Sequence, residues 1–136
     1  MHPTLRNILV VIGGLLIGSV VNMALIYLGM ALVQPPEGAD LATTEGLKAA
    51  MPLMGPQHFV FPFLAHAVGT LAGAWFAVRL GASQHLLLAG IVGGFFLAGG
   101  IANIAMLPSP LWFTILDLGA AYLPMAWLGW KLGKKG

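Results

Sequence analysis

The chain has 136 residues, of which 59% are apolar and 7% charged, with a formal net charge of +2. A water-soluble domain usually has about a quarter of its residues charged, so this chain cannot cover a globule with polar surface and lipid has to be its solvent. The lack of cysteine removes disulfides, thiolate metal sites, cysteine nucleophiles and iron-sulfur ligation, and the six basic residues, scattered at chain and helix ends, form no nucleic-acid patch.

A spanning helix needs about 20 mainly apolar residues. Segments 8–33, 58–80, 86–107 and 111–131 meet that requirement. The expected fold is therefore an all-α membrane protein, a four-transmembrane-helix bundle forming one domain over residues 1–136. Arg6 ahead of the first apolar run resembles the start of a signal peptide. The run is much longer than a signal core of ~7–15 residues and has no clear small-residue cleavage site, so it reads as a permanent helix.

The loop 34–57 opens with Pro35-Pro36-Glu37-Gly38, which should stop the first helix. Asp40 is placed to cap a short interfacial helix over residues 41–51, with Leu41, Leu47, Met51 and Met54 turned to the membrane surface or the bundle mouth. Pro52 and Pro56 argue against a longer element. The connections 81–85 and 108–110 are short enough that each joins antiparallel neighbours.

Basic residues near helix ends set orientation. With the N-terminus cytoplasmic, Arg6, Arg79, Lys131, Lys134 and Lys135 all lie inside and Lys48 alone lies outside, beside Glu37, Asp40 and Glu45. Both termini are therefore expected in the cytoplasm, in a plasma membrane of the bacterial inner-membrane kind. The halves of the chain also echo each other. Gly18 to Ala24 matches Gly99 to Ala105, and Trp75 to Gly81 matches Trp127 to Gly133, which would make the two helical hairpins a parallel repeat about an axis along the membrane normal.

Lipid tails compete for apolar side chains, so helix association in a membrane relies on close backbone approach and polar contacts. Small residues recur at four-residue steps: Gly14 and Gly18, then Ala65, Gly69, Gly73 and Ala77, then Gly90, Gly94, Ala98 and Ala102, then Gly129 and Gly133. Such stripes suit either a monomer's interior or an oligomer interface. Pro124, inside the fourth segment, should kink it or free the carbonyl of Ala120.

Asp117 stands out, because a carboxylate within a span costs a few kcal/mol on insertion scales and tends to face a cavity or a partner. His66 falls beside the Gly69 and Gly73 stripe, Asn22 shares the Gly14 and Gly18 stripe, and Asn103 occupies the matching place in the third helix. These four residues are expected to converge in the outer half of the bundle, with Thr70 and Tyr122 extending the cluster inward. An Asp and a His facing each other can pass a proton, and amides beside a carboxylate can hold a small ion or polar solute. The expected function is a small transporter or channel, working as a homo-oligomer or with a membrane partner. The alternative is a non-catalytic scaffold or accessory subunit in which the polar residues only lock the helices.

No cofactor is expected. Of the four histidines only His66 lies well inside, so one chain offers no haem pair. His58 and His66, eight residues apart, lie about 12 Å apart along a helix, too far for one metal. Gln57, His58 and the loop acids leave room for a surface metal site. Ser109 is the nearest serine and lacks a Gly-x-Ser-x-Gly context, so binding is expected before catalysis.

Overall fold

The computed structural model describes residues 1–136 and is all-helical, with α1 (Pro3–Leu32), α2 (Thr44–Ala50), α3 (Val60–Leu80), α4 (His85–Met106), α5 (Leu111–Ala120) and α6 (Leu123–Gly133). Single 3-10 turns at Met51–Leu53 and Pro56–His58 lead into α3. Four segments are long and apolar enough to cross a membrane: Pro3–Leu32, Pro56–Leu80, His85–Met106 and Leu111–Gly133. Only 26 of the 136 residues are buried, while Leu16, Val20, Phe95 and Ile115 are each more than half exposed. A surface this apolar would aggregate in water, and it marks a multi-pass membrane protein.

α1 begins at Pro3, five residues before the apolar run, because proline suits a first helical turn and the His2 imidazole accepts the Thr4 N–H at 3.3 Å. It ends at Val33, where the Pro35-Pro36 pair forbids continuation. In the loop the expected cap is corrected. Thr43, not Asp40, accepts the Gly46 N–H at 3.0 Å and starts α2, while Asp40 accepts the Ala42 N–H one turn earlier. The helical stretch is shorter than 41–51, since Pro52 lacks the N–H an α-helix would need there and the chain tightens into a 3-10 turn.

α3 is the centre of the bundle, packing on α1, α4 and α6, whereas α1 touches α4 only lightly. The α1–α3 contact is backbone on backbone. A Cβ at Gly14 would lie 2.5 Å from the carbonyl oxygen of Gly73, and one at Gly18 would lie 2.7 Å from that of Gly69. On the opposite face of α3, Gly129 and Gly133 of α6 press against Ala74, Trp75 and Val78. The stripe read on α4 does not join this packing. A Cβ at Gly90 or Gly94 would meet nothing within 4 Å, and α4 instead turns Ala89, Val92, Gly93 and Gly100 inward. A spacing of four selects a face of a helix but cannot say which face finds a neighbour.

Both termini share one end of the bundle. Arg6 Nε donates to the Leu80 carbonyl at 2.7 Å, and Asn7 Oδ1 accepts the Ala82 N–H at 2.9 Å while its Nδ2 donates to Ser83 Oγ at 3.2 Å, so the start of α1 clasps the α3–α4 turn. Gly133 packs near Val78 at the same end. The other end carries loop 34–57, closed by His58, whose Nδ1 accepts the Gly55 N–H at 2.9 Å and whose Nε2–H donates to the Gln34 carbonyl at 2.9 Å. Both imidazole nitrogens are thus committed to holding the loop shut. In His58→Ala, hydrogen exchange of residues 34–57 should rise about tenfold, the equivalent of roughly one net hydrogen bond, with α1 and α3 unchanged. An unchanged exchange pattern would show that the clasp carries no weight.

Candidate functional site

α3 places His66 and Thr70 one turn apart on the same face. Gly69 between them lets α1 come close and brings Asn22 alongside: a Cβ at Gly69 would lie 3.2 Å from Asn22 Cβ. On the far side the fourth span is broken. The expected kink at Pro124 is a full interruption, with α5 ending at Ala120 and α6 starting at Leu123, and Tyr122 at φ −112°, ψ −79° between them. Pro124 has no N–H for the Ala120 carbonyl, and its ring excludes a continuous helix. The break turns Tyr122 so that its hydroxyl donates to Asp117 Oδ2 at 3.3 Å.

Asp117 is 2% exposed and accepts a second hydrogen bond on Oδ1 from His66 Nδ1 at 2.8 Å. It lies in the last turn of α5, at the negative end of that helix dipole, and its two hydrogen bonds come from side chains. The His66 ring stacks on Tyr122 with centroids 5.6 Å apart and planes at 24°. Gly100 of α4 makes room for that tyrosine, since a Cβ there would lie 2.5 Å from its hydroxyl oxygen. With Nδ1–H given to the carboxylate, the free nitrogen of His66 is Nε2, on a side chain 21% exposed.

Two cavities meet at His66. One, of about 310 Å³, lies under loop 34–57 and has mainly apolar walls, including Met30, Leu47, Met51 and Phe61, with His66, Asn103 and Asp117 among its polar groups. The other, of about 330 Å³, lies between α1 and α4 against α3, and Asn22, His66, Thr70, Asn103 and Tyr122 all line it. Both are within the size range of small-molecule sites. All six polar residues singled out in the sequence therefore line one or both cavities, but only three are bonded together. His66, Asp117 and Tyr122 form the connected unit. Asn22 makes only a 3.9 Å contact with the Met23 sulfur, Asn103 is exposed on the rim, and Thr70 Oγ1 is buried without a hydrogen-bond partner.

Sequence reasoning missed Gly100, visible only as half of a Gly-Gly pair, and singled out His58 only for a surface metal site, although it lines the apolar cavity. Ser109 pairs with Thr114 at 2.8 Å, and His58 is spent on the backbone. No three His, Cys, Asp or Glu side chains are grouped to hold a metal. No protein-family model, curated protein or solved structure matches the chain, so its chemistry is read from geometry alone.

Proposed function

We propose that this is a small transporter of the bacterial inner membrane, with both termini in the cytoplasm, that relays protons by way of His66 and offers the adjoining cavities to a solute. The observation that carries the reading is the imidazole of His66, held at 2.8 Å by a buried carboxylate on one side and open to a cavity on the other. Proton uptake at Nε2 turns a net-negative pair into a neutral imidazolium–carboxylate pair, a change that a low-dielectric site transmits strongly to whatever lies beside it. Orientation is supported by Arg6, Arg79, Lys131, Lys134 and Lys135 sharing the end that carries the termini, with Lys48 at the other. The placement of Asn22 and Asn103 around one cavity supports the repeat reading.

A transporter fits better than an open channel. Between the site and the end that carries the termini lies a dry core of Val10, Ala74, Ala77, Val78, Leu88 and Val92, so passage requires the helices to move. The interrupted fourth span beside the site is the kind of element on which such motion turns. In proteoliposomes carrying an entrapped pH dye, the wild type should dissipate an imposed pH gradient. His66→Phe, which keeps the stack on Tyr122 and removes both nitrogens, should leave the gradient decaying as in protein-free vesicles; undiminished flux in that variant would end the proton reading.

A second reading, an accessory subunit or homo-oligomer docking through α4, is supported by Gly90 and Gly94. Both lie on an open face beside Phe95, which is 64% exposed. It predicts that Gly94→Leu abolishes self-association or partner recovery and that Asp117→Asn leaves both intact.

A further inference from the structure

We propose that the occupant of the joined cavities is a neutral, hydroxyl-bearing membrane amphiphile, which enters sideways between α1 and α4 with its head against His66 and Thr70 and its chain under loop 34–57. This rests on reading the cavities as a solute site and adds the chemical class of the solute.

The route comes from how α1 and α4 part. They meet where a Cβ at Gly18 would lie 2.7 Å from Phe96 Cζ, and beyond that contact Asn22 and Ile26 face Gly99 and Asn103 across a crevice whose back wall is α3. Nothing fills its front: a Cβ at Gly99 would meet no atom within 4 Å. A gap between two helices of a membrane bundle opens toward lipid, so its visitor arrives from the bilayer.

The head group follows from the polar atoms left over. Thr70 is 1% exposed, lines the crevice and has no partner for Oγ1, a state that costs free energy until something bonds to it. His66 Nε2 is an acceptor in the same cavity, and the Asn22 and Asn103 amides stand at the mouth. A hydroxyl can donate to Nε2, and a turn of the Thr70 side chain, whose Oγ1 is covered, would let the same hydroxyl accept from it. No lysine or arginine lines either cavity, so an anionic head would have no fixed counter-charge. A cationic head in the crevice would find no carboxylate on its walls, because Asp117 is 2% exposed, does not line the crevice and is covered by His66 and Tyr122. A neutral head is what remains.

The chain follows from the cavity under loop 34–57, which shares Ile26, His66, Gly100 and Asn103 with the crevice and has three methionines, three leucines and three phenylalanines among its 23 lining residues. A sugar or a hydrated ion would have to shed water against walls where polar groups such as His58 and Ser109 are already bonded within the protein, whereas an alkyl chain gains from the apolar ones.

The test uses the full chain in phosphatidylcholine nanodiscs with three photoreactive probes: a diazirine-bearing long-chain alkanol, its methyl ether and its phosphate monoester. The alkanol should label residues lining the two cavities and be displaced by unlabelled alkanol. The ether, unable to donate to His66, should label about tenfold less, the equivalent of one hydrogen bond. Gly99→Phe should block labelling with an unchanged thermal midpoint, and Thr70→Val, nearly isosteric, should weaken it about tenfold with a midpoint no lower than wild type, since it removes an unpartnered hydroxyl. Equal labelling by the ether, stronger labelling by the phosphate ester, or label spread over lipid-facing positions would overturn the proposal. Proton flux from a wild type that the alkanol fails to label would overturn it too, while leaving the proton site standing.

Discussion

Proteoliposomes containing Asp117→Asn should dissipate a pH gradient about a hundredfold more slowly than wild type, the scale at which a positioned proton-transfer group contributes. The substitution spares the fold. An asparagine can accept from His66 Nδ1 and reach the Tyr122 hydroxyl, so the 2.8 Å and 3.3 Å contacts have neutral replacements and the thermal midpoint should stay close to wild type. What is lost is the counter-charge for the imidazolium, without which the protonated intermediate has no partner in a low-dielectric site. Asp117→Leu separates the effects further, because it leaves His66 and Tyr122 unpaired and should cost about 1–3 kcal/mol for each buried group stranded. Wild-type flux in Asp117→Asn would reduce the unit to a helix lock, and no flux from the wild type itself would favour the scaffold reading.

Gly73→Leu should produce a large loss of stability, with Gly94→Leu as its silent control. A Cβ at Gly73 would lie 2.5 Å from the Gly14 carbonyl oxygen and 3.3 Å from Val92 Cγ1. Backbone cannot swing aside as a side chain can, so α1 must move off α3, at a cost of about 1–3 kcal/mol or more, as for overpacked cores. The same change at Gly94, where a Cβ would meet nothing within 4 Å, should stay within about 0.5 kcal/mol in a monomer. Denaturant unfolding in mixed micelles compares the two, and equal midpoints would refute the packing described for α1 and α3.

The sequence by itself determined the number and length of the spans, because hydrocarbon thickness sets how many apolar residues a crossing needs, and that rule acts locally. It also marked Gly14, Gly18, Gly69 and Gly73 as positions of close approach, but left open whether they met another helix of the chain or a second copy; the structure pairs them with each other. The gathering of His66, Asp117 and Tyr122 was legible in outline, because lone polar groups in lipid must find company, but its order was not. That Asp117 is held from both sides depends on the break before Pro124, which re-aims Tyr122 by irregular dihedrals no periodicity encodes. Only the tertiary structure decided that Gly90 and Gly94 face outward, that Thr43 caps α2 where Asp40 looked suited, and that α1 and α4 part to leave a crevice at His66. In each case the residues offer more than one neighbour equally well. The choice among neighbours is made by how all the helices pack at once, a property of the assembled bundle and not of any segment.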